Sequence, residues 1–323
     1  MVKIQEIMIP PRLKKEDKIG IVAPSNFIKK GQKALLKDAV GVIKNFNFEV
    51  ELGKYVFDVD KYGVSAGEPQ NRAEDINRFF TDDSINAIWC MKGGECANEV
   101  LEFLDFELIK RNPKIFIGMS DNSVLLNSIY QKTGLVTFYG PDLKVGDKEE
   151  YFDSKYSQEE FIGRLVKGRI GEINKVSQWR CVRKGSAKGK ILGGHLRCFL
   201  KLAGTEYFPD LVGGILCLEG NYLVKSEAIH LLTYLKHLGV FEKISGAVVG
   251  FIYGYEKEKQ YDKDGHRIYF EDLLFDYSKD YSFPILKICE FGHKCPSTFL
   301  PIGGIARLDA EKKLFKIVEK CVR

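Results

Sequence analysis

The chain has 323 residues, 45% hydrophobic and 29% charged, too many for one ordinary hydrophobic core and about right for two. That balance excludes a disordered chain, and no apolar run reaches the ~18–20 residues that a membrane span requires. The net charge of +5 comes from Lys and Arg interspersed with Asp and Glu, and no RNP-like, zipper or finger pattern accompanies it, so neither nucleic acid nor membrane is expected as a partner.

Short apolar runs alternate with helical patterns through the first half, which predicts parallel βαβ units. Residues 18–24 (KIGIVAP) read as a strand ending in a Pro-Ser turn. A helix over 32–44 follows, with apolar spacing through Leu35, Leu36, Val40 and Ile43. Next come a strand over 48–52, a helix over 68–80, a strand over 87–91 stopped by Gly93-Gly94, and a helix over 97–103. A strand over 114–117 then runs through a turn into a helix over 123–130, and a strand over 136–139 closes on Gly140-Pro141. Residues from about 145 to 190 are polar, aromatic and rich in Lys and Gly, and read as a connecting region. The second unit opens near Lys190 and continues with a strand over 214–218, a helix over 226–238, a strand over 247–251 and a charged loop over 255–268. Strands over 285–290, 305–309 and 314–317 complete it. The division expected is an α/β domain over 1–150, a connecting region over 151–188 and a second domain over 189–323. The segment MVKIQEIMIPPRLKKEDK has no continuous apolar stretch of the secretory kind, so a cytoplasmic protein is expected.

Chemistry concentrates in a few places. In IFIGMSDNSVLLNSIY a strand runs into Gly118-Met119-Ser120 and an apolar helix starts almost at once, the layout of a nucleophile elbow. The helix start would place free N–H groups beside a developing oxyanion, with the N–H of Asp121 first among them. A serine at a helix start is also an ordinary N-cap, and Asn122 stands where the usual elbow has glycine. A serine nucleophile needs a base. Of the five histidines, His230 and His237 lie in an amphipathic helix and His266 in a charged loop. His195 follows Gly193-Gly194 and could line a site; His293, in a Gly- and Pro-rich loop after a strand, is the preferred base. Glu219, closing the strand GGILCLE, is a candidate for the acid that orients it, in the chain order Ser, Glu, His. Gly93 and Gly94 could let backbone N–H groups face the oxyanion, or could be a plain strand-to-helix turn. No Walker loop or G-x-G-x-x-G follows a strand, so no nucleotide cofactor is expected. The eight cysteines form no C-x-x-C pair and read as reduced thiols used as small hydrophobes.

The blocks KIGIVAPS, SAGEPQNRAEDINRFFTDDSINAIWCMKGG, NPKIFIGMSDNSVLLNSIYQKTGLVTFYGP, KILGGHLRCFLKLAGTEYFPD, GGILCLEG and FGHKCPSTFLPIG together resemble the serine L,D-carboxypeptidases, including the microcin C self-immunity branch. The resemblance implies an N-terminal Rossmann-like or amidotransferase-like domain, a smaller β-rich C-terminal domain, a cleft between them and commonly a homodimer. It implies Ser120 as nucleophile, Glu219 and His293 as its partners, oxyanion donors at Asp121 and Gly93 or Gly94, and no metal. The substrate would be a murein tetrapeptide losing its terminal D-amino acid or, in the self-immunity branch, an aminoacyl-nucleotide conjugate. Three positions depart from the family pattern: Glu95 after the paired glycines, His195 in the G-G-N-L block, and Gly220 after Glu219. Glu95 and His195 are therefore candidate substrate contacts, and Trp179 is a candidate platform for a nucleotide base. A fold that has lost its chemistry, or an acyltransferase, are the competing expectations.

Overall fold

The structure is a computed structural model that describes residues 6–29, 31, 33–143 and 152–323. Its strands, in chain order, are β1 (Lys18–Val22), β2 (Glu49–Leu52), β3 (Ile85–Cys90), β4 (Ile115–Gly118), β5 (Thr137–Tyr139), β6 (Gly171–Glu172), β7 (Arg180–Arg183) and β8 (Ser186–His195). After these come β9 (Ile215–Gly220), β10 (Gly246–Ile252), β11 (Gln260–Tyr261), β12 (Arg267–Ile268), β13 (Ile285–Gly292), β14 (Leu300–Ile302), β15 (Ile305–Asp309) and β16 (Leu314–Ile317).

The first sheet has the order β14-β5-β4-β3-β1-β2. Its five N-terminal strands are mutually parallel, as the βαβ alternation predicts, and β14 joins the edge antiparallel to β5. Parallel strands are buried on both faces, which is why they read as continuous apolar runs. Their period-two geometry divides each strand between two cores. Ile19, Ile21, Trp89, Ile115 and Ile117 face one core, while Val22, Ile88, Cys90 and Phe116 face the other. That second core also holds Leu192, Cys217, Val248 and Ile288 of the C-terminal half, so the two units share an interior.

The second sheet has the order β6-β16-β15-β8-β9-β10-β13-β7. Its centre, β8-β9-β10-β13, is parallel, and the flanking strands are antiparallel. The C-terminal part is β-rich as expected, yet it is built on the same parallel principle as the first half. The structure adds the helix Phe270–Tyr277, which sequence reading left unassigned because its apolar stripe is only two turns long. It also starts β8 at Ser186 rather than at Lys190, because the half-exposed residues 186–189 pair with β15.

Gln32, at the expected start of the first helix, the side chain of Leu35 and the expected boundary at 150/151 lie outside the described residues. The expected connecting region serves both sheets. Phe152 and Phe161 pack on Trp89 at ring-centroid distances of 4.7 and 5.3 Å, while β6 and β7 form opposite edges of the second sheet. Phe299, just before β14, closes the same aromatic cluster at 5.7 Å from Trp89. Among the described residues, no helix is long and apolar enough to cross a membrane.

Trp89 is wholly buried, donates its indole N–H to the Pro141 carbonyl at 3.1 Å, and touches rings from the middle and the C-terminal part of the chain. Trp89→Ala is expected to lower stability by about 3–5 kcal/mol, the usual range for emptying an aromatic core site, read as a lower urea midpoint in equilibrium unfolding.

Candidate functional site

An open parallel sheet presents its chemistry at the carboxyl ends of its strands, near the point where strand order reverses. In the first sheet that reversal lies at β1, and the segments leaving β1, β3, β4 and β5 carry Ser25, Gly93, Ser120 and Asp142. In the second sheet the carboxyl ends of β8 and β9 carry His195 and Glu219, which are paired in register, and His293 follows β13 directly. The two sets of strand ends meet.

Ser120 sits at φ +58°, between an extended Met119 and a short 3₁₀ turn that leads into the helix Ser123–Thr133. Left-handed backbone at a non-glycine residue costs roughly 1 kcal/mol or more and persists only where its surroundings enforce it. The residue at the N-cap of that helix is Asn122 and not Ser120, so the elbow reading of this segment is favoured over the N-cap reading. Two neighbours leave no room for side chains. A Cβ on Gly118 would lie 2.6 Å from that of Asn122, and one on Gly93 would lie 2.6 Å from Ser120 Cβ and 2.9 Å from its Oγ. Asn122 takes the place of the usual second glycine by folding its amide onto the carbonyls of Met119 and Lys92, at 3.1 and 3.2 Å, which ties the elbow to the Gly93 loop.

Asp121 is fully buried, and its carboxylate accepts from Ser25 Oγ at 2.6 Å, Ala97 N–H at 2.7 Å and Lys201 Nζ at 2.6 Å. Burial alone would lower the Lys201 pKa, but Asp121, together with Cys198 and Glu95, outweighs it and the shift is upward, so the ammonium stays charged. Lys201 also donates to the Glu95 carbonyl at 2.7 Å. Glu95 itself is mostly exposed, with its carboxylate 3.8 Å from the same ammonium.

Glu219 is the fully buried hub. Its Oε2 accepts from His293 Nδ1 at 2.8 Å and from the His293 backbone N–H at 3.3 Å, and its Oε1 accepts from the Tyr139 hydroxyl. Tyr139 Oη in turn accepts the Ser120 N–H at 3.2 Å, so one chain of hydrogen bonds runs from His293 to Ser120. Burial works to raise the Glu219 pKa, but His293, His195 and the hydrogen bonds from His293 and Tyr139 outweigh it and bring it to about 2. For His293, burial works downward and the Glu219 carboxylate overcomes it, so its pKa lies above 6.5. With Nδ1–H committed to Glu219, His293 keeps the Nε2 lone pair free for a proton.

The structure thus brings Ser120, Asp121, Gly93, Glu219, His293 and His195 together. Gly94 turns its open face to Asn26 and Ser25 instead, where a Cβ would lie 2.3–2.4 Å from their oxygens. The Gly93 N–H reaches Asp142 Oδ2 at 3.4 Å. The expectation for Trp179 is corrected: only 3% of it is exposed, it lies in the core, and its indole N–H donates to Glu290 Oε2 at 2.7 Å, so its ring faces are not offered to a ligand. Sequence reading missed Tyr139, Ser25 and Lys201. Tyr139 ends a parallel strand and Ser25 lies in the segment leaving one, which was a usable signal; Lys201 carried none, since it is one of many lysines on a helical pattern.

The comparisons with known proteins bear on this geometry. Residues 19–140 match the model of the LD-carboxypeptidase N-terminal domain, and residues 188–308 match that of the C-terminal domain. The chain belongs to the LD-carboxypeptidase family. A Bacillus subtilis relative named as a probable murein peptide carboxypeptidase is 29% identical over 94% of this chain and 92% of its own. The microcin C7 self-immunity protein MccF of Escherichia coli is also 29% identical, over 87% of each chain. The structure of MccF in complex with aspartyl sulfamoyl adenosine superposes with a TM-score of 0.85 at 25% identity, covering 98% of this chain and all of that one. Family membership makes this chain a carboxypeptidase-like hydrolase.

Lys201→Met would leave the Asp121 carboxylate buried beside the elbow without its cation. We expect a loss of about 2–3 kcal/mol, below the ~3–5 kcal/mol of a fully enclosed pair because Lys201 is partly solvated. Chemical denaturation checks this, and Lys201→Arg is expected to recover part of the loss.

Proposed function

We propose that the chain cleaves an amide bond through an acyl-enzyme on Ser120, and that its substrate is a murein-type peptide losing its terminal D-amino acid. The observation that carries this reading is the hydrogen-bonded line His293–Glu219–Tyr139–Ser120, ending on a serine held at positive φ against Gly93. His293 Nε2 takes the Ser120 hydroxyl proton as Oγ attacks the carbonyl carbon. Glu219 holds the imidazole in the Nδ1–H tautomer and stabilises the imidazolium. The Ser120 N–H is turned to Tyr139, so the oxyanion falls to the Asp121 N–H, with Gly93 N–H as the second donor once it leaves its long contact to Asp142. His293 then protonates the leaving amine, and water, deprotonated by the same base, releases the acid and restores Ser120.

The second reading, hydrolysis of an aminoacyl-nucleotide conjugate, is favoured by the full-length similarity to MccF, whose structures include an aspartyl sulfamoyl adenosine complex. The burial of Trp179 weighs against it, because the aromatic platform expected for the base is absent at that position. Mass spectrometry after incubation with a murein tetrapeptide, and separately with an aminoacyl sulfamoyl adenosine, decides between them. Release of D-alanine by the wild type but not by Ser120→Ala is the expected result. Cleavage of the nucleotide conjugate alone would establish the second reading. If neither is cut and a fluorophosphonate leaves Ser120 unlabelled, the hydrolytic mechanism is wrong.

A pH profile gives an independent check. The base acts when neutral, and its pKa is raised, so kcat/KM should fall as pH drops through a value above 6.5. Glu219→Gln removes the charge that raises it. The acid limb should then move to lower pH while the rate falls by about 10²–10⁴, as when a neutral amide replaces the orienting acid of a serine triad.

A further inference from the structure

Three side chains beside the site have no task in the mechanism above. Tyr222, Tyr253 and Lys294 lie just past the carboxyl ends of β9, β10 and β13, the strand ends where a parallel sheet collects its ligands. The two rings meet edge to face at a centroid distance of 4.7 Å. The Lys294 ammonium sits 4.4 Å from the Tyr253 ring centroid and 5.5 Å from that of Tyr222, and it donates to the Tyr222 hydroxyl at 3.4 Å. Tyr222 is 52% exposed, so the group is open to solvent. Tyr222 and Lys294 both hold left-handed backbone, at φ +49° and +56°, as Ser120 does. Strain of this kind collects at ligand clamps and active sites.

What the group lacks is an anion. Among the described residues, no carboxylate pairs with Lys294. Burial works to lower its pKa, but the Tyr222 and Tyr253 hydroxyls outweigh it and the shift is upward, so the ammonium is charged. A phenol that accepts an N–H still has its own proton to give, so the ammonium and the Tyr222 hydroxyl together present only donors. Two other cations near the imidazoles are already committed, Lys201 to Asp121 at 2.6 Å and Arg197 to Glu227 at 2.7 Å. His195 holds no charge for an anion either. Burial brings its pKa to about 4 against a smaller opposing pull from Glu219, and its Nε2 accepts the Asn221 backbone N–H at 3.2 Å, which leaves its proton on Nδ1.

Lys294 is also close to the chemistry. Its Cα is one peptide unit, ~3.8 Å, from that of His293. Tyr222 follows Asn221, whose N–H lies on His195, and the His195 ring centroid is 5.3 Å from that of His293. When a peptide loses its last residue, the amine that His293 protonates and the free carboxylate share one Cα, which puts the carboxylate carbon roughly 2.5 Å from the leaving nitrogen. Bringing that nitrogen to His293 therefore brings the carboxylate into the neighbourhood of the next residue. We propose that Lys294, with the Tyr222 hydroxyl beside it, receives the terminal carboxylate of the leaving amino acid and so restricts cleavage to the free end of a peptide. This rests on the hydrolase reading of Ser120 and adds what separates a carboxypeptidase from an endopeptidase. The ring faces hold the ammonium in place, and the pair it forms with the carboxylate is a charge-assisted contact.

The probes are murein tetrapeptide ending in D-alanine and the same peptide as its C-terminal carboxamide, which removes the charge and keeps the scissile bond. Calorimetry on the Ser120→Ala protein should show the acid binding about tenfold more tightly than the amide, the scale of one charge-assisted hydrogen bond. Adding Lys294→Met to that protein should bring the ratio toward one, while Lys294→Arg, which keeps the charge, should retain most of it. Unfolding midpoints identify a variant that fails to fold, and Lys294→Gln then serves as the neutral one. Equal binding of acid and amide by the parent, or an acid preference that survives in the neutral variants, overturns the proposal. So does binding of aminoacyl sulfamoyl adenosine in place of both peptides. A wild type that cuts acid and amide equally well removes the subsite and leaves the hydrolase reading intact. A wild type that cuts neither and takes no fluorophosphonate on Ser120, with the Lys294-dependent preference still present, overturns the acyl-enzyme reading and leaves the subsite standing.

Discussion

Everything in this site depends on one buried carboxylate. Glu219 closes an apolar strand with no exposed surface, a placement that is prohibitive for an unpaired charge. It is tolerable because three groups converge on it: the His293 imidazole, the His293 backbone N–H and the Tyr139 hydroxyl. Tyr139 belongs to the first sheet and His293 to the second, so satisfying this one charge requires the two sheets to be docked in a single arrangement. The same hydrogen bonds that make the carboxylate tolerable set the tautomer of His293 and the orientation of the Ser120 turn. Stability and chemistry here use the same contacts.

The docking is reinforced well away from the site. One core spans both halves, β14 crosses back to the edge of the first sheet, and Trp89 is packed by rings from residues 152, 161 and 299. A rigid frame of this kind is what a strained turn needs. Ser120 holds a left-handed backbone because the Gly93 loop presses against it and Asn122 fastens that loop to the elbow. Asp121 is held in turn by Ser25, Ala97 and Lys201, each from a different element. The cost of the strain is met by interactions outside the turn.

Buried carboxylates are used elsewhere in the chain for assembly alone. Glu290, three residues before His293, pairs with no cation among the described residues; its oxygens accept from Val176 N, Ser177 N, Ser177 Oγ, Trp179 Nε1 and Cys289 N at 2.7–2.9 Å. That nest fastens the segment before β7 to the strand that carries His293. It is also the physical reason Trp179 is an interior residue, since its polar tip is needed there.

Much of the protein was legible in the sequence because the signals are local. Apolar runs separated by helical spacing specify parallel βαβ units, and a serine two residues after Gly118, between a strand and a helix, suggests an elbow while leaving an N-cap open. An acid or a histidine at the end of an apolar strand marks a carboxyl edge where chemistry collects. Ser120, Glu219 and His293 could be chosen on those grounds, aided by the resemblance of whole blocks to a family. What the sequence could not decide is which side chains meet. Tyr139 bridges Ser120 to Glu219 only because two sheets present their carboxyl ends to each other, and Lys201 neutralises Asp121 across 80 residues of chain. Trp179 reads as a ligand platform until a buried carboxylate claims its N–H, and the tautomer of His195 follows from an Asn221 backbone N–H that is 26 residues away. Such pairings depend on distances between elements, and distance across a fold is not written in local periodicity; it is set when the two cores close on each other.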